Sequence, residues 1–528
     1  MKLAFNSFAG EIPRMEPRYL PETHAAAASG ARLNRGNLEP MNEPVVVNTF
    51  ASDAQSFFVY GASFLQFSTD ADCVQGPVAL DRLYITYPGG VVPKMLYSGT
   101  YYNLALPAPT GTPTVALTSG TLDPTLAETV LYAWTWLTSL GEESAPSPLS
   151  AGISWSPGCT ITVTMPGAAP ASRLVTLRRI YRSVTSASGA TELYFVAQIS
   201  SATTTFAHDL ATSPTVEAIT SKDFDEPPAT LQGLVAMPNG MMAGFSGRDI
   251  FFCEPYQPHA WPDKYALHVN DTIVGLAAFG SSVAILTTGM PYVAQGIHPE
   301  SMAMERMEVM LPCVSKRGIV DMGYAAIYPS TDGLVQISQQ GAKLISGGLW
   351  TKQQWQKLIT PTTVRAGYMM GRYVMSYQTG GTGTRKMAII EVDEGGQFVI
   401  NVASEAYVDF HYDIGTGQLF ALRSDLRNVV NVDDPTGALK TLIWKSKPVR
   451  LPGIVSMGAY LFDTTPPASA PAFSCAVYAN GALLFTTTTP NAIGRLPANL
   501  AEVWQIEITT NHTVTRAVIA GSPDEIFQ

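Results

Sequence analysis

Apolar and polar positions alternate with a period of two in short runs along most of the chain, and the runs stop at glycine, proline or Asn-Gly. That pattern predicts short β-strands joined by tight turns. From about Leu231 to Lys440 it recurs as a loose unit: an apolar strand, a turn with glycine, a second alternating strand, then a polar run. The turn glycines fall at Gly240, Gly280, Gly333, Gly371 and Gly417, so successive spacings lie between 38 and 53 residues. Four short antiparallel strands with their turns occupy roughly 40 to 50 residues, the length of one propeller blade. A meandering sandwich with hairpins of similar length fits the same spacing.

The flanking regions carry other rhythms. Val45 to Ser98 holds strand-like runs suited to an early blade, and Pro107 to Pro113 has linker composition. Beyond it, Val130 to Thr138 sets Tyr132, Trp134 and Trp136 on one strand face, and about seven short strands follow the layout of a fibronectin type III-like sandwich. After Lys440 come a hinge at Pro466 to Pro471 and four strands with an Asn480-Gly481 turn. The expected fold is all-β: an irregular β-propeller with an inserted fibronectin type III-like sandwich and a small C-terminal β-domain. Its divisions are an extended N-terminal docking arm (1–44), first blade or blades (45–106), insert (107–225), remaining blades (226–445) and terminal domain (446–528).

Composition narrows the class. In 528 residues, 46% are hydrophobic and only 14% charged, with 44 Gly and 38 Pro spread throughout, which disfavours long helices with charged outer faces. Low surface charge also points to surface covered by partners. Against 42 acidic residues stand 32 basic ones without a block of Lys or Arg, so tight sequence-specific DNA binding is not expected. The net charge of −10 serves solubility or, alternatively, a mildly acidic channel wall that a polyanion slides past. Cys73, Cys159, Cys253, Cys313 and Cys475 are odd in number and widely spaced, and read as reduced, mostly buried thiols; no metal or cofactor is expected. Ile273 to Ala294 lacks charge but is cut by Gly280 and its Ser-Ser turn, so no membrane span is expected.

Candidate chemistry is sparse. His259, His268 and His298 lie near Asp263, Asp271 and Glu300 in sequence, without a nucleophile, base and orienting group at a recognisable spacing. Ser330-Thr-Asp332-Gly333 reads as a turn held by its aspartate, not as a sialidase-type Asp-box. No enzyme is expected. The run Ser301 to Met310 places Met302, Met304, Met307 and Met310 close together, either as padding of a blade edge or as a flexible apolar gate or lumen loop where subunits meet.

Several segments resemble one family. Phe8-Ala-Gly-Glu-Ile-Pro-Arg14, Arg18-Tyr-Leu-Pro21, Gly36-Asn-Leu-Glu-Pro40, Gly233-Leu-Val-Ala-Met-Pro-Asn-Gly240, Glu254 to Pro262 and Pro312-Cys-Val-Ser-Lys-Arg317 are similar to stretches of tail nozzle proteins of short-tailed bacteriophages, also called tail tubular or packaged-DNA stabilisation proteins. The likeness covers most of the chain and is strongest from about 231 to 350. It implies a structural protein of the virion tail, assembled in the bacterial host cytoplasm as a homo-hexameric ring. Such a ring extends the DNA conduit below the portal and adaptor, retains the genome and lets double-stranded DNA pass at ejection, and it exposes side surfaces for tail fibres or spikes. Docking to the adaptor is assigned to Phe8, Glu11, Ile12, Pro13 and Arg14, and deletion of the arm before Val45 is expected to leave the fold intact. The alternative readings are a receptor- or glycan-binding propeller protein of the tail tip and, third, a glycoside hydrolase.

Overall fold

The computed structural model describes residues 1–33, 36–185, 191–209, 217–380, 383–392, 396–465 and 472–527. The structure is 50% strand and 6% helical, and among the described residues the strands form many small sheets, none of which closes on itself. The one α-helix among the described residues, Lys352–Leu358, starts at a capping box: Thr351 accepts from the Gln354 N–H, and Gln354 accepts from the Thr351 N–H. The chain divides into two compact units: Met1–Asp70, Ala277–Val293 and Glu305–Gln528, and Ala71–Leu276 with Ala294–Met304. The hinge expected at Pro466 to Pro471 lies outside the described residues.

In the first unit the repeat becomes consecutive sheets. Val320–Asp321, Ala326–Pro329, Leu334–Ser338 and Gly341–Leu344 pair antiparallel in chain order. Arg365–Met369, Arg372–Gln378, Arg385–Val392 and Phe398–Ala403 do the same. Tyr407–Asp413, Gln418–Arg423 and Asn428–Asn431 make three strands of the next sheet, and Val45–Thr49 supplies the fourth by pairing with Asn428–Asn431. The turns obey local chemistry. Gly371 (φ 82°) follows Met370, and Gly417 (φ 69°) ends a turn in which Asp413 accepts from the N–H groups of Gly415 and Thr416.

The residues expected as an extended arm are folded. Lys2–Phe5 pairs with Val514–Ala520, while Ala9–Glu11 and His24–Ser29 lie between Phe398–Ala403 and Leu442–Ser446. They thereby link the second repeat sheet to Leu442–Ser446, Ala501–Thr510 and Phe473–Ala479 in one sheet of eleven strands. The reason is burial: Phe5 and Phe8 meet Trp444 edge to face, with ring centroids 5.5 and 4.9 Å apart, and the Trp444 indole N–H donates to the Ala9 carbonyl. Gly10 permits the approach, since a Cβ there would lie 2.6 Å from the Ile400 carbonyl oxygen. The C-terminal strands therefore share one core with residues 3–38, including Leu3, Leu38, Phe462 and Trp504, and do not form a separate domain beginning at 446.

The second unit holds two further four-strand sheets: Asp72–Gln75, Arg82–Thr86, Lys94–Tyr97 and Thr100–Asn103; and Gln232–Ala236, Met242–Ser246, Asp249–Phe252 and Leu267–His268. Between them in sequence, Thr114 to Asp209 makes small sheets packed on Tyr132, Trp134, Trp136, Ile161 and Val163. The buried Arg178 guanidinium lies 4.6 and 4.7 Å from the rings of Trp134 and Trp136 and donates to the carbonyls of Met165, Gly167 and Ser201. Residues 273–306 carry four more strands, Ile273–Phe279, Ser282–Thr287, Tyr292–Gln295 and Ala303–Arg306, and Gly280 (φ 56°) turns the chain between the first two. Among the described residues no helix is long and apolar enough to cross a membrane.

Candidate functional site

The five residues assigned to adaptor docking do not form an exposed patch. Phe8 lies against Trp444, and Ile12 is buried with Leu20 and Val399. Pro13 is half-buried and its carbonyl accepts from the Gln354 amide at 3.1 Å. Glu11 is held inside the sheet, where its Oε1 accepts from the Ala28 N–H at 2.7 Å; burial pushes its pKa up to about 7 against the opposing pull of that bond and of Lys386. Arg14 alone is exposed, donating to the Gly347 carbonyl. Docking was assigned to 8–14 from the resemblance alone, whereas Phe8 and Ile12 are buried by Trp444, Leu20 and Val399.

The methionines differ in burial. Met302 is buried over Gly296, where an added Cβ would lie 2.8 Å from the Met302 sulfur. Met304 and Met307 are half-buried and Met310 is exposed. Met302 and Met304 belong to one unit, Met307 and Met310 to the other.

The histidines also part company. His259 is buried and bonds the Glu143 carbonyl at 2.8 Å, His268 faces Asp249 at 2.7 Å, and His298 accepts from the Glu300 N–H at the start of a short 3₁₀ turn. The family-like segments are frame. Gly240 carries the Tyr256 ring so closely that a Cβ would lie 2.5 Å from it, and Trp261 is fully buried with its N–H on the Pro258 carbonyl. Arg317 pairs with Asp70 and lies 4.0 Å from the buried Asp409, whose other oxygen accepts from the Phe57 N–H at 3.1 Å. Burial pushes Asp409 up to about 6, with Arg317 opposing it.

What the first unit does present is an open cleft of about 630 Å³ with a mixed polar and apolar wall, missed by the sequence reading. Three turns build its walls. The hairpin tip at Gly280 forms one side; Gln339 and Gln340 turn the strand pair Leu334–Ser338 and Gly341–Leu344, with the Gln340 N–H donating to Ser338 Oγ at 3.2 Å; and Gly323 (φ 87°) precedes Tyr324, fixed by the Gly323 N–H on the Asp321 carboxylate at 2.7 Å. The Gln339 amide donates to Ser282 Oγ at 3.1 Å and ties two of these turns together. Strand alternation aims Val335 and Ile337 into the core and leaves Gln336 and Ser338 on the accessible face, with Lys343 opposite Gln336 in the adjacent strand.

Tyr324, 68% exposed, is also the first of three apolar turn tips, with Met370 (69%) and Ile414 (87%). Each sits between the first and second strands of its sheet. Tyr368 meets Tyr412 edge to face at 4.8 Å, and both Met322 and Tyr368 pack on one core cluster. The cleft's sequence signal was the polar run Gln336 to Gln340, which alone reads as an ordinary hairpin turn. No family model and no curated protein matches the chain.

Proposed function

We propose that the chain is a structural virion protein of the tail-nozzle kind, a homo-oligomer, six-fold by resemblance, that extends the DNA conduit below a portal and adaptor ring, retains the genome and passes DNA at ejection. On this reading the consecutive four-strand sheets are blades of an irregular propeller and 107–225 is a fibronectin type III-like insert. The observation that carries it is the return of Val45–Thr49 to complete the sheet of Tyr407–Asp413, Gln418–Arg423 and Asn428–Asn431. Small sheets that cannot bury their own faces need neighbours on both sides, and a strand from near the chain start fastens the last sheet of such a series.

The segments that resemble the nozzle family lend a second support, since in this fold they are turns and anchors on which sheet packing depends. The adaptor contact then lies elsewhere than the buried residues 8–12. Mass photometry and negative-stain imaging of the purified chain test the reading: rings with an axial channel are expected. A protein that stays monomeric at tens of micromolar, together with its absence from purified virions by mass spectrometry, would overturn it.

A further inference from the structure

Lining chemistry decides what the open cleft of the first unit can hold. Its volume lies within the roughly 300–1,000 Å³ of small-molecule sites. Three glutamines, a serine and a lysine line it with Tyr324 and several glycines, and no carboxylate is among the lining residues. A phosphate chain calls for several cations or a cradle of N–H groups, and Lys343 is the one cation here. The wall is mixed, with Phe279, Tyr324 and Ala342 beside Gln336, Gln339 and Gln340, which suits a ligand that has both an apolar face and polar edges.

Amides suit a different partner. Each glutamine offers two N–H donors and a carbonyl acceptor on one planar group, and neighbouring hydroxyls on a sugar ring both donate and accept. A sugar also has a flat face of C–H groups, which carries the partial positive charge that an aromatic face attracts. Tyr324 displays its ring at the cleft margin, held there by the Gly323 turn rather than by packing of its own. The glycines at 280, 323 and 341 keep the walls free of side chains, so that a bulky ring reaches the amides. The Gln339 to Ser282 bond fixes one amide in advance and lowers the ordering cost of binding.

We propose that this cleft is a saccharide-binding site, with the sugar ring against Tyr324, its hydroxyls on Gln336, Ser338 and Gln340, and Lys343 placed to meet an acidic substituent. The site is independent of ring assembly and adds a recognition function to the nozzle reading.

The test uses the full-length protein and a panel of neutral and uronic-acid-containing oligosaccharides, read by saturation-transfer NMR and then by titration of the best binder. At least one panel member is expected to bind in the micromolar to millimolar range. Tyr324→Ala lowers that affinity about tenfold, Tyr324→Phe retains it because the ring face stays, and Gln336→Ala lowers it several-fold. Lys343→Ala weakens acidic sugars selectively. Thermal melting of all four variants stays that of the parent, since these side chains lie at the surface. The idea fails if no panel member binds at millimolar concentration, or if the binder is indifferent to both Tyr324→Ala and Gln336→Ala. Ring formation, measured separately, reports on the nozzle reading and not on this one.

Discussion

Two parts of the first unit are built from the same kind of strand by opposite means. Within each sheet from Val320 to Asn431 the strands of that stretch pair in chain order, so those hydrogen bonds close over a turn of a few residues, and only the edges take strands from the chain start. In the terminal layers, Lys2–Phe5 pairs with Val514–Ala520 and His24–Ser29 with Leu442–Ser446, across more than 400 residues. Loop closure grows dearer only slowly with length, so both are stable once made. They differ in what announces them: a local pair carries its own turn, whereas a distant pair has no mark in the sequence except that its residues are apolar.

That contrast is easiest to break at the chain start. Removing residues 1–33 strips four strands and the rings of Phe5 and Phe8 from the core around Trp444. The truncated chain is expected to lose soluble expression or to melt more than about 10 °C lower with strong binding of a hydrophobic dye. An unchanged melting curve would restore the docking arm. Trp444→Ala is the single-residue version, with a cost of about 3–5 kcal/mol by denaturant titration, as both edge contacts and the bond to Ala9 are lost together.

Glu11 sharpens the same region through pH. Its ordinary pKa of 4.5 is raised to about 7 in the fold, so the native state holds a proton that the unfolded chain releases. Stability is therefore fullest below about pH 4.5 and declines as pH rises through 7. Glu11→Gln removes the charge while keeping the carbonyl that accepts from Ala28. It should stabilise the protein by about 2 to 3 kcal/mol at pH 8 and hardly at all at pH 4. A gain equal at both pH values would show that the carboxyl is not ionising inside the sheet.

The smallest effect belongs to a local turn. Gly371→Ala places a side chain at φ 82°, with open space around the new Cβ, so only backbone strain of about 1 kcal/mol is expected. Hydrogen exchange should quicken in Arg365–Gln378 and leave Leu442–Ser446 unchanged. Loss of protection in both would mean that the repeat sheets and the terminal layer unfold as one.

Legibility followed the same division. The Asn480-Gly481 pair gave its hairpin outright, and Asn480 and Gly481 indeed turn at φ 47° and 84° between Ala479 and Ala482. The charge-free run from Ile273 was correctly split at Gly280, for a positive φ there suits a turn and not a helix. Residues 1–44 were misjudged because Pro, Ala and Arg lower local strand propensity, while Phe5, Phe8 and Ile12 are too widely placed to declare a core. Of the cleft, the exposure of Gln336 and Ser338 could be read from alternation with Val335 and Ile337. The approach of Gly280 and Tyr324 could not.

By itself, then, the amino-acid sequence determined an all-β chain of short strands, the positions of its tight turns and the succession of its small sheets. These depend on φ preferences and on a period of two, which are properties of neighbouring residues. Only the tertiary structure decided that the chain start is core and that three separate turns line one open cleft. Those depend on which distant apolar faces bury each other, and burial is non-directional, so its partners are fixed by the whole packing and not by any local run.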